Sequence, residues 1–245
     1  MNIEGMLNVN KPEGITSYDV IRLLKKKLGM EKIGHCGTLD PIASGVLPVL
    51  FGRTTKLFDS FIESKKVYRT KIVFGFETDT GDRTGRVIKK NENPPQSPFG
   101  KGGIKGGFDE GRIREVIKSF VGEIEQVAPM YSALNYKGRK LYELARAGKI
   151  IPEELRRRKV KIYEINLVNY KYPCAEIYVE CSKGTYIRSL VIDLGRKLNC
   201  FATVSGIVRE RTGTFDLDSS VGFDKLKDMT REDICKKIKS PSVPL

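Results

Sequence analysis

Residues 34–48, with the sequence GHCGTLDPIASGVLP, restrict the fold more than any other part of the chain. Three glycines and two prolines interrupt this stretch, and such a composition predicts a shaped loop in place of a regular helix or strand. The stretch contains His35, the only histidine, and Asp40, which Pro41 biases toward an extended conformation. Glycine lets the backbone approach a ligand closely, and the apolar residues 46–51 would anchor the loop. We therefore expect a carboxylate held at a fixed angle, although a histidine and an aspartate at this spacing are by themselves more typical of a surface turn.

Hydrophobic patterns elsewhere predict a mixture of helices and strands. A helix is expected to begin at Ser17 and to end at Gly29, because the apolar residues between them share one face. Residues 68–76 alternate between apolar and polar side chains, which is typical of a half-buried strand. Further elements are predicted at residues 6–10, 160–167 and 177–181 as strands, and at residues 113–120 and 185–198 as amphipathic helices, the second opened by Thr185. These elements indicate an α+β fold.

The balance of basic and acidic residues indicates which kind of molecule the protein binds. The chain has 44 Lys and Arg against 30 Asp and Glu, so its net charge is 44 − 30 = +14. This surplus favours a polyanion such as nucleic acid, although a solvated basic surface would give the same count. The apolar runs are short and no secretion leader opens the chain, so we expect a cytoplasmic protein with no membrane partner. Five cysteines without a Cys-x-x-Cys pair, with one histidine, argue against a metal site and against a zinc-dependent base deaminase.

Two segments rich in polar residues and glycine are predicted to connect the regular elements. Residues 78–86 are rich in Asp, Thr and Gly but lack the spaced ligands of a calcium loop, so a polar hairpin or loop is expected. Residues 91–111 include nine Gly or Pro among 21 residues and are interpreted as a disordered low-complexity insertion. A nucleic-acid-binding loop of KH type could be imagined at residues 103–106, but no helix–strand frame surrounds it. Nothing catalytic is expected to depend on this insertion.

A basic segment at residues 137–161 is predicted to bind RNA. It carries ten Lys or Arg against three Glu, and Tyr142 lies among them. Cations would contact phosphates and an aromatic ring would stack on exposed bases. We expect Arg156, Arg157 and Arg158 to contribute much of the salt dependence of RNA binding.

The stretch at residues 34–48 resembles the catalytic motif of the TruB-type pseudouridine synthases, which isomerise uridine in the T loop of tRNA. Four further blocks resemble motifs of that family and occur in the family's order, so the resemblance covers roughly residues 5–213. The blocks are residues 5–17 (the lysine–proline motif), 66–69 (the tyrosine motif), 130–134 with 140–142 (the RNA-gripping insert) and 181–190 (the arginine motif).

The resemblance implies the architecture and the partners. We expect the pseudouridine synthase fold, with a mixed, largely antiparallel sheet flanked by helices and a central cleft. Residues 1–245 would form a single catalytic domain with an RNA-gripping insert at about residues 129–160. Residues 214–245 would be a short C-terminal extension without the PUA domain that many members carry. The reaction implies no cofactor, and the T arm of tRNA is the expected partner of a monomeric enzyme.

The resemblance also implies the catalytic residues. Asp40 falls on the family's nucleophile, for conversion of the uridine at position 55. Arg188 would be the cationic partner that aims this carboxylate, since a planar guanidinium orients a carboxylate better than an ammonium does. Tyr68 would stack on the uracil and would act as the base for the C5 proton. The alternatives are a surface arginine in the first turn of a helix and an ordinary core tyrosine.

Four other residues are implied in substrate binding. His35 would fill the gap that the flipped uridine leaves in the RNA. Tyr186 and Ile207 match positions that contact the base, and Ile207 replaces a more usual leucine, which conserves volume. Lys11 would shape the edge of the cleft.

Two rival functions use the same fold. A non-catalytic RNA-binding protein would not need Asp40, Tyr68 and Arg188 together. A guide-RNA-dependent synthase of the dyskerin kind shares the aspartate loop but relies on a PUA domain and protein partners. A stand-alone tRNA enzyme is therefore the preferred interpretation.

Overall fold

The structure, a computed structural model, describes residues 3–91 and 109–240. The chain forms two compact units: the first comprises Met1–Tyr68 and Val208–Leu245, and the second comprises Arg69–Ile207. The fold is α+β, with a mixed, largely antiparallel sheet flanked by helices, as the sequence predicts. Among the described residues, no helix is long and apolar enough to cross a membrane.

The elements are numbered in chain order. The strands are β1 (Gly5–Lys11), β2 (Ile33–His35), β3 (Ala43–Phe51), β4 (Lys66–Phe74), β5 (Phe76–Thr78), β6 (Val87–Lys90), β7 (Gly122–Val127), β8 (Asn135–Tyr136), β9 (Arg139–Lys140), β10 (Arg157–Lys171), β11 (Cys174–Cys181), β12 (Ala202–Thr212), β13 (Phe215–Asp216) and β14 (Val221–Gly222). The α-helices are α1 (Ser17–Leu28), α2 (Phe58–Ile62), α3 (Glu110–Lys118), α4 (Leu141–Arg146), α5 (Ile187–Lys197), α6 (Phe223–Asp228) and α7 (Arg231–Lys237). Two 3₁₀ helices lie at Gly52–Leu57 and Glu153–Arg156.

The first unit is built around β3. This strand pairs antiparallel with β1 and β2, and β14 lies parallel to β1. Eight of the nine residues of β3 are buried, which suits a central strand covered on both faces. Helix α1 begins and ends where the sequence predicts: Thr16 and Asp19 form a capping box, and Gly29 ends the helix in the left-handed conformation.

The second unit contains the antiparallel set β7, β10 and β11, with α3 and α5 packed nearby. Both strands predicted around residues 160–181 are confirmed, and β10 is longer than expected. The predicted beginning of α5 is wrong, because the N-cap position is Tyr186 and not Thr185. Thr185 Oγ1 donates a hydrogen bond to the carbonyl of Ser182, 2.9 Å away, and so stabilises the preceding turn instead.

The loop predicted at residues 34–48 is shorter than expected. His35 ends β2 and Ala43 begins β3, so the irregular part comprises only residues 36–42. Antiparallel pairing with β1 keeps even Pro48 within a strand. Gly45 allows close packing against another strand and not against a ligand, because a Cβ atom there would lie 2.2 Å from the Arg209 carbonyl oxygen. The close approach that Gly45 permits is therefore to the chain's own β12.

The two polar segments differ in outcome. Residues 79–86 connect β5 to β6, which confirms the predicted hairpin, and Asp82 Oδ1 accepts hydrogen bonds from Thr80 and Thr84. Most of the predicted insertion lies outside the described residues. Its predicted end is too late, because α3 begins at Glu110 with Asp109 as its N-cap, whose side chain accepts from the Arg112 N–H.

Candidate active site

The loop that carries Asp40 is fixed by α1 and by the turn after β1. Ser17, at the first position of α1, donates to the Leu39 carbonyl at 3.2 Å and accepts from the Leu39 N–H at 2.9 Å. The Gly14 N–H donates to the Pro41 carbonyl at 2.8 Å. Both neighbours of Asp40 are thus tied to other elements, and the half-buried carboxylate stands on a braced backbone.

Lys11 contributes a buried positive charge to the same site. Its side chain is 0% exposed, and the ammonium donates to the carbonyls of Pro12 and Ile15 at 2.8 Å each. Burial lowers the pKa of Lys11 from 10.5 to about 8, an effect that the negative charge of Asp40 opposes and the positive charge of Arg209 reinforces. Lys11 therefore remains mostly protonated at neutral pH and shapes the turn from within.

His35 is a neutral side chain at neutral pH. Burial, assisted by the charge of Arg209, lowers the pKa of His35 to about 4. Its Nδ1 atom is buried and has no hydrogen-bond partner among the described residues. No group of three or more His, Cys, Asp and Glu side chains in the described ranges could hold a metal ion. An uncharged aromatic ring suits contact with bases better than contact with phosphates.

Tyr68 ends the first of the two chain segments that form the first unit, and it lies in β4. It is half-buried, whereas Thr70, Ile72 and Phe74, which follow at alternate positions, are buried. The predicted alternation is thus confirmed from Tyr68 to Phe74, but the predicted end is wrong, because β4 ends at Phe74 and Phe76 begins β5. The tyrosine ring begins a buried row but is itself accessible in part.

Arg188 lies in the first turn of α5 and is 3% exposed, which rules out the surface-arginine alternative. Its guanidinium donates to the carbonyls of Thr80 and Tyr131, both at 2.8 Å. The carboxylate of Asp82 lies 3.8 Å away and is itself buried. These contacts, all within the second unit, fix the arginine in one orientation.

Tyr186 and Ile207 also belong to the second unit. The side-chain amide of Gln126 accepts from the Tyr186 N–H at 3.1 Å and donates to the Tyr186 carbonyl at 3.4 Å. The guanidinium of Arg158 lies 5.6 Å from the centroid of the Tyr186 ring. Ile207 is buried in β12. The first unit thus holds Lys11, His35, Asp40 and Tyr68, and the second holds Tyr186, Arg188 and Ile207.

The basic segment has a small apolar core of its own. Leu141, Leu144 and Ile151 are buried together, and Met130, Leu134 and Tyr136 pack against them. Cations lie over aromatic rings on this scaffold, with Lys137 at 5.5 Å from Tyr136 and Arg146 at 5.5 Å from Tyr142. The predicted interleaving of cations and aromatic rings is therefore present as direct contacts.

The expected role of the three consecutive arginines is wrong for Arg156. This residue is buried, and its guanidinium donates to the carbonyls of Ile151 and Ala128. Burial lowers the pKa of Arg156. Arg157 is exposed and pairs with Glu125 at 2.5 Å, and Arg158 contacts Tyr186. Arg156 therefore holds the segment together from inside and offers no charge to RNA.

Two charged residues of these sites were not anticipated from the sequence. Arg209, 1% exposed, donates to backbone carbonyls beside the Asp40 loop, and Asp82 adjoins Arg188. Alternation along β12 contains a signal for Arg209, because Ile207 and Arg209 are both buried and share a face. Asp82 carried no such signal, since nothing local distinguishes it from the exposed polar residues of its loop.

Comparison with known proteins places this geometry in a family. The sequence model described as "TruB family pseudouridylate synthase (N terminal domain)" matches residues 25–187. A protein of Clostridium kluyveri named tRNA pseudouridine synthase B is 47% identical over 91% of this chain and 72% of its own length. A protein of the same name from Caldanaerobacter subterraneus subsp. tengcongensis is 42% identical over 100% of this chain and 82% of its own.

Solved structures with a similar fold include chains of two multicomponent complexes. A chain in a Cbf5–Nop10–Gar1 complex superimposes with a TM-score of 0.69 at 28% identity, over 96% of this chain and 60% of that chain. A chain in an H/ACA RNP bound to a substrate RNA containing 2′-deoxyuridine gives a TM-score of 0.64 at 27% identity, over 91% of this chain and 52% of that chain. This chain thus spans little more than half the length of those two proteins. Fold, site and sequence together define a pseudouridylate synthase, and the chain belongs to the TruB family of these enzymes.

Proposed function

We propose that this protein converts uridine to pseudouridine at position 55 in the T loop of tRNA, with Asp40 as the nucleophile. The observation that carries the proposal is the loop itself. Asp40 is its only carboxylate, both neighbouring residues are tied by hydrogen bonds, and a buried ammonium is close enough to interact with it. The relatives named tRNA pseudouridine synthase B support tRNA as the substrate.

The reaction is an isomerisation and needs no redox partner. The bond between N1 and C1′ breaks, the uracil turns, and C5 forms a new bond to C1′. C5 loses a proton and N1 gains one, so atoms and electrons balance without a cofactor. Asp40 supplies the electron pair that forms a transient bond to the substrate, at C1′ or at C6; either route uses the same carboxylate.

The other residues that the family resemblance implies would each serve one part of this reaction. Arg188 would orient Asp40 through its planar guanidinium. Tyr68 would stack on the uracil and accept the C5 proton. Extrusion of a base requires a few kcal/mol, and stacking returns about 1–3 kcal/mol per base, so Tyr68 and His35 would together largely offset it. Tyr186 and Ile207 would contact the uracil, and Lys11 would hold the turn beside Asp40.

A guide-RNA-dependent activity is the second candidate. The H/ACA complexes among the structures of similar fold favour it. Sequence identity favours the stand-alone tRNA enzyme, since the curated tRNA pseudouridine synthases reach 47% and the Cbf5-type chains only 28%. We therefore propose that the protein acts on tRNA as a monomer without a guide.

Replacement of Asp40 by Asn tests the proposal. The amide preserves the shape of the side chain and removes the nucleophile, so pseudouridine formation in a tRNA transcript should fall below detection while tRNA affinity stays within about threefold. The matched control is Asp228→Asn, which changes an exposed carboxylate of α6 in the same unit and should leave the rate unchanged. Measurable turnover by the Asp40 variant, free of host enzyme, would falsify the assignment.

A further inference from the structure

Arg209 is the largest fully buried side chain among the described residues, and the proposed chemistry does not yet use it. Its Nε–H donates to the carbonyl of Val46 at 2.8 Å, and its Nη2 donates to the carbonyl of Gly37 at 2.9 Å. These carbonyls lie on the two sides of Asp40 along the chain. One rigid guanidinium therefore joins the beginning of the loop that carries the nucleophile to β3, the strand that follows the loop.

The loop is shaped to receive this arginine. Gly37 has a φ of 87°, and a Cβ atom there would lie 3.2 Å from Nη1 of Arg209. Gly45 has a φ of 110°, and a Cβ atom there would meet the Arg209 backbone at 2.2 Å. Both glycines thus leave space for one residue of β12. The arginine and the two glycines therefore form a complementary set.

The positive charge of Arg209 affects the titratable side chains around the loop, in addition to the larger effect of burial. It lowers the pKa values of Lys11 and His35, and it counteracts the burial that raises the pKa of Cys36. A buried guanidinium is expensive to desolvate, and an apolar side chain of similar size would often be at least as stabilising. A buried cation bonded to the backbone on both sides of Asp40 therefore suggests a role other than stability.

We propose that Arg209 is a positioning residue for the reaction: by tying Gly37 to Val46 it holds Asp40 in the orientation required for attack on the substrate. The catalytic part of this inference rests on the proposed function, whereas the dependence of the loop on Arg209 does not. Arg209 does not touch the reacting atoms in this account. It acts through the backbone of the loop.

Two substitutions separate the hydrogen bonds from the charge. Arg209→Met removes the hydrogen bonds and the positive charge. Arg209→Lys keeps the charge but replaces the planar, two-pronged donor by an ammonium group. Displacement of a reacting group by about 1 Å can reduce a rate about a hundredfold, so we expect both variants to lose about that factor in single-turnover rate. Affinity for tRNA should stay within about threefold. The matched control is Arg211→Met, which changes an exposed residue of the same strand and should leave the rate unchanged.

His35 provides a readout that is independent of catalysis. Because it is the only histidine, its imidazole signals can be followed by NMR without assignment of the other residues. The pKa of His35, which burial and the charge of Arg209 hold at about 4, should rise more in Arg209→Met than in Arg209→Lys. Amide hydrogen exchange within residues 37–46 should accelerate in both variants. If the methionine variant does not fold, the lysine variant still gives the rate and the exchange data.

The outcomes distinguish this inference from the proposed function. Two results would overturn the positioning role. One is a wild-type single-turnover rate in Arg209→Lys although amide exchange within residues 37–46 has accelerated. The other is amide exchange in these residues that stays as slow in both variants as in the wild type. A wild-type protein that makes no pseudouridine, but whose loop protection depends on Arg209, would instead contradict the proposed function. Equal losses of rate in the Arg211 control would also overturn the inference, because they would indicate a general effect of charge on RNA binding.

Discussion

Two buried cations and one carboxylate occupy the same small region of the first unit. Lys11 and Arg209 are both fully buried, and the pKa of Lys11 responds to Arg209 and to Asp40. Lys11 donates to the backbone carbonyls of Pro12 and Ile15, and Arg209 donates to those of Gly37 and Val46. Both charges therefore stabilise backbone geometry around the proposed nucleophile and make the region electropositive before RNA arrives.

Burial of Lys11 should make the free energy of unfolding depend on pH in the alkaline range. Its pKa falls from 10.5 in the unfolded chain to about 8 in the folded one, so the unfolded state binds more protons between these values and stability rises with pH there. Cys36 and Cys200, whose pKa values burial raises to about 12, act in the opposite direction above pH 9.

Comparison with Lys11→Met removes the contribution of the cysteines. The free energy of unfolding of the wild type should gain about 2 kcal/mol over the variant between about pH 7.5 and about pH 9.5. Denaturant titrations at a series of pH values measure this difference. Parallel curves for the two proteins would mean that the folded state does not depress the pKa of Lys11.

At the scale of elements, the sequence predicted those parts whose signals are local. Helix α1 carries its capping residues, its apolar face and its terminal glycine within residues 16–29, and its predicted beginning and end agree with the structure. The Asp40 loop was located for the same reason. The contact of Gly45 with Arg209 could not be predicted, because Arg209 is distant in sequence and reaches this glycine only through strand pairing. Local patterns likewise gave no reason to separate Arg156 from its two neighbours.

The arginines at the beginning of β10 should differ in their effect on stability. Arg156→Met leaves the buried carbonyls of Ile151 and Ala128 without their donor, which should reduce the free energy of unfolding by about 2 kcal/mol. Arg157→Met removes only an exposed ion pair and should leave the unfolding midpoint unchanged. Thermal and denaturant unfolding of the two variants test the contrast. Equal midpoints would show that Arg156 is as dispensable as its exposed neighbour.

At the scale of the whole molecule, the net charge of +14 favours RNA everywhere on the surface, so a local binding site must be separated from a general attraction. Arg139 and Lys149 are exposed cations of the basic segment, whereas Lys236 and Lys237 are exposed or nearly so in α7. Reversal of each pair to glutamate changes the net charge equally. The two double variants therefore form a matched comparison.

Reversal of Arg139 and Lys149 should weaken tRNA binding and flatten its dependence on salt. Each lost phosphate contact reduces the log–log slope by about 0.7 to 0.9, so a loss of two contacts should reduce it by about 1.4 to 1.8. The α7 double variant should change the slope much less. Filter binding across a salt series measures both. Equal slopes for the two variants would mean that RNA responds to net charge and not to the basic segment.

The most direct measurement of the central claim uses the wild-type protein alone. The purified chain is incubated with an unmodified tRNA transcript, without guide RNA or partner protein, and pseudouridine is mapped at single-nucleotide resolution. We predict pseudouridine at position 55 only, and none in a transcript that carries cytidine there. Modification at other positions, or none until a guide RNA and partner proteins are added, would contradict it.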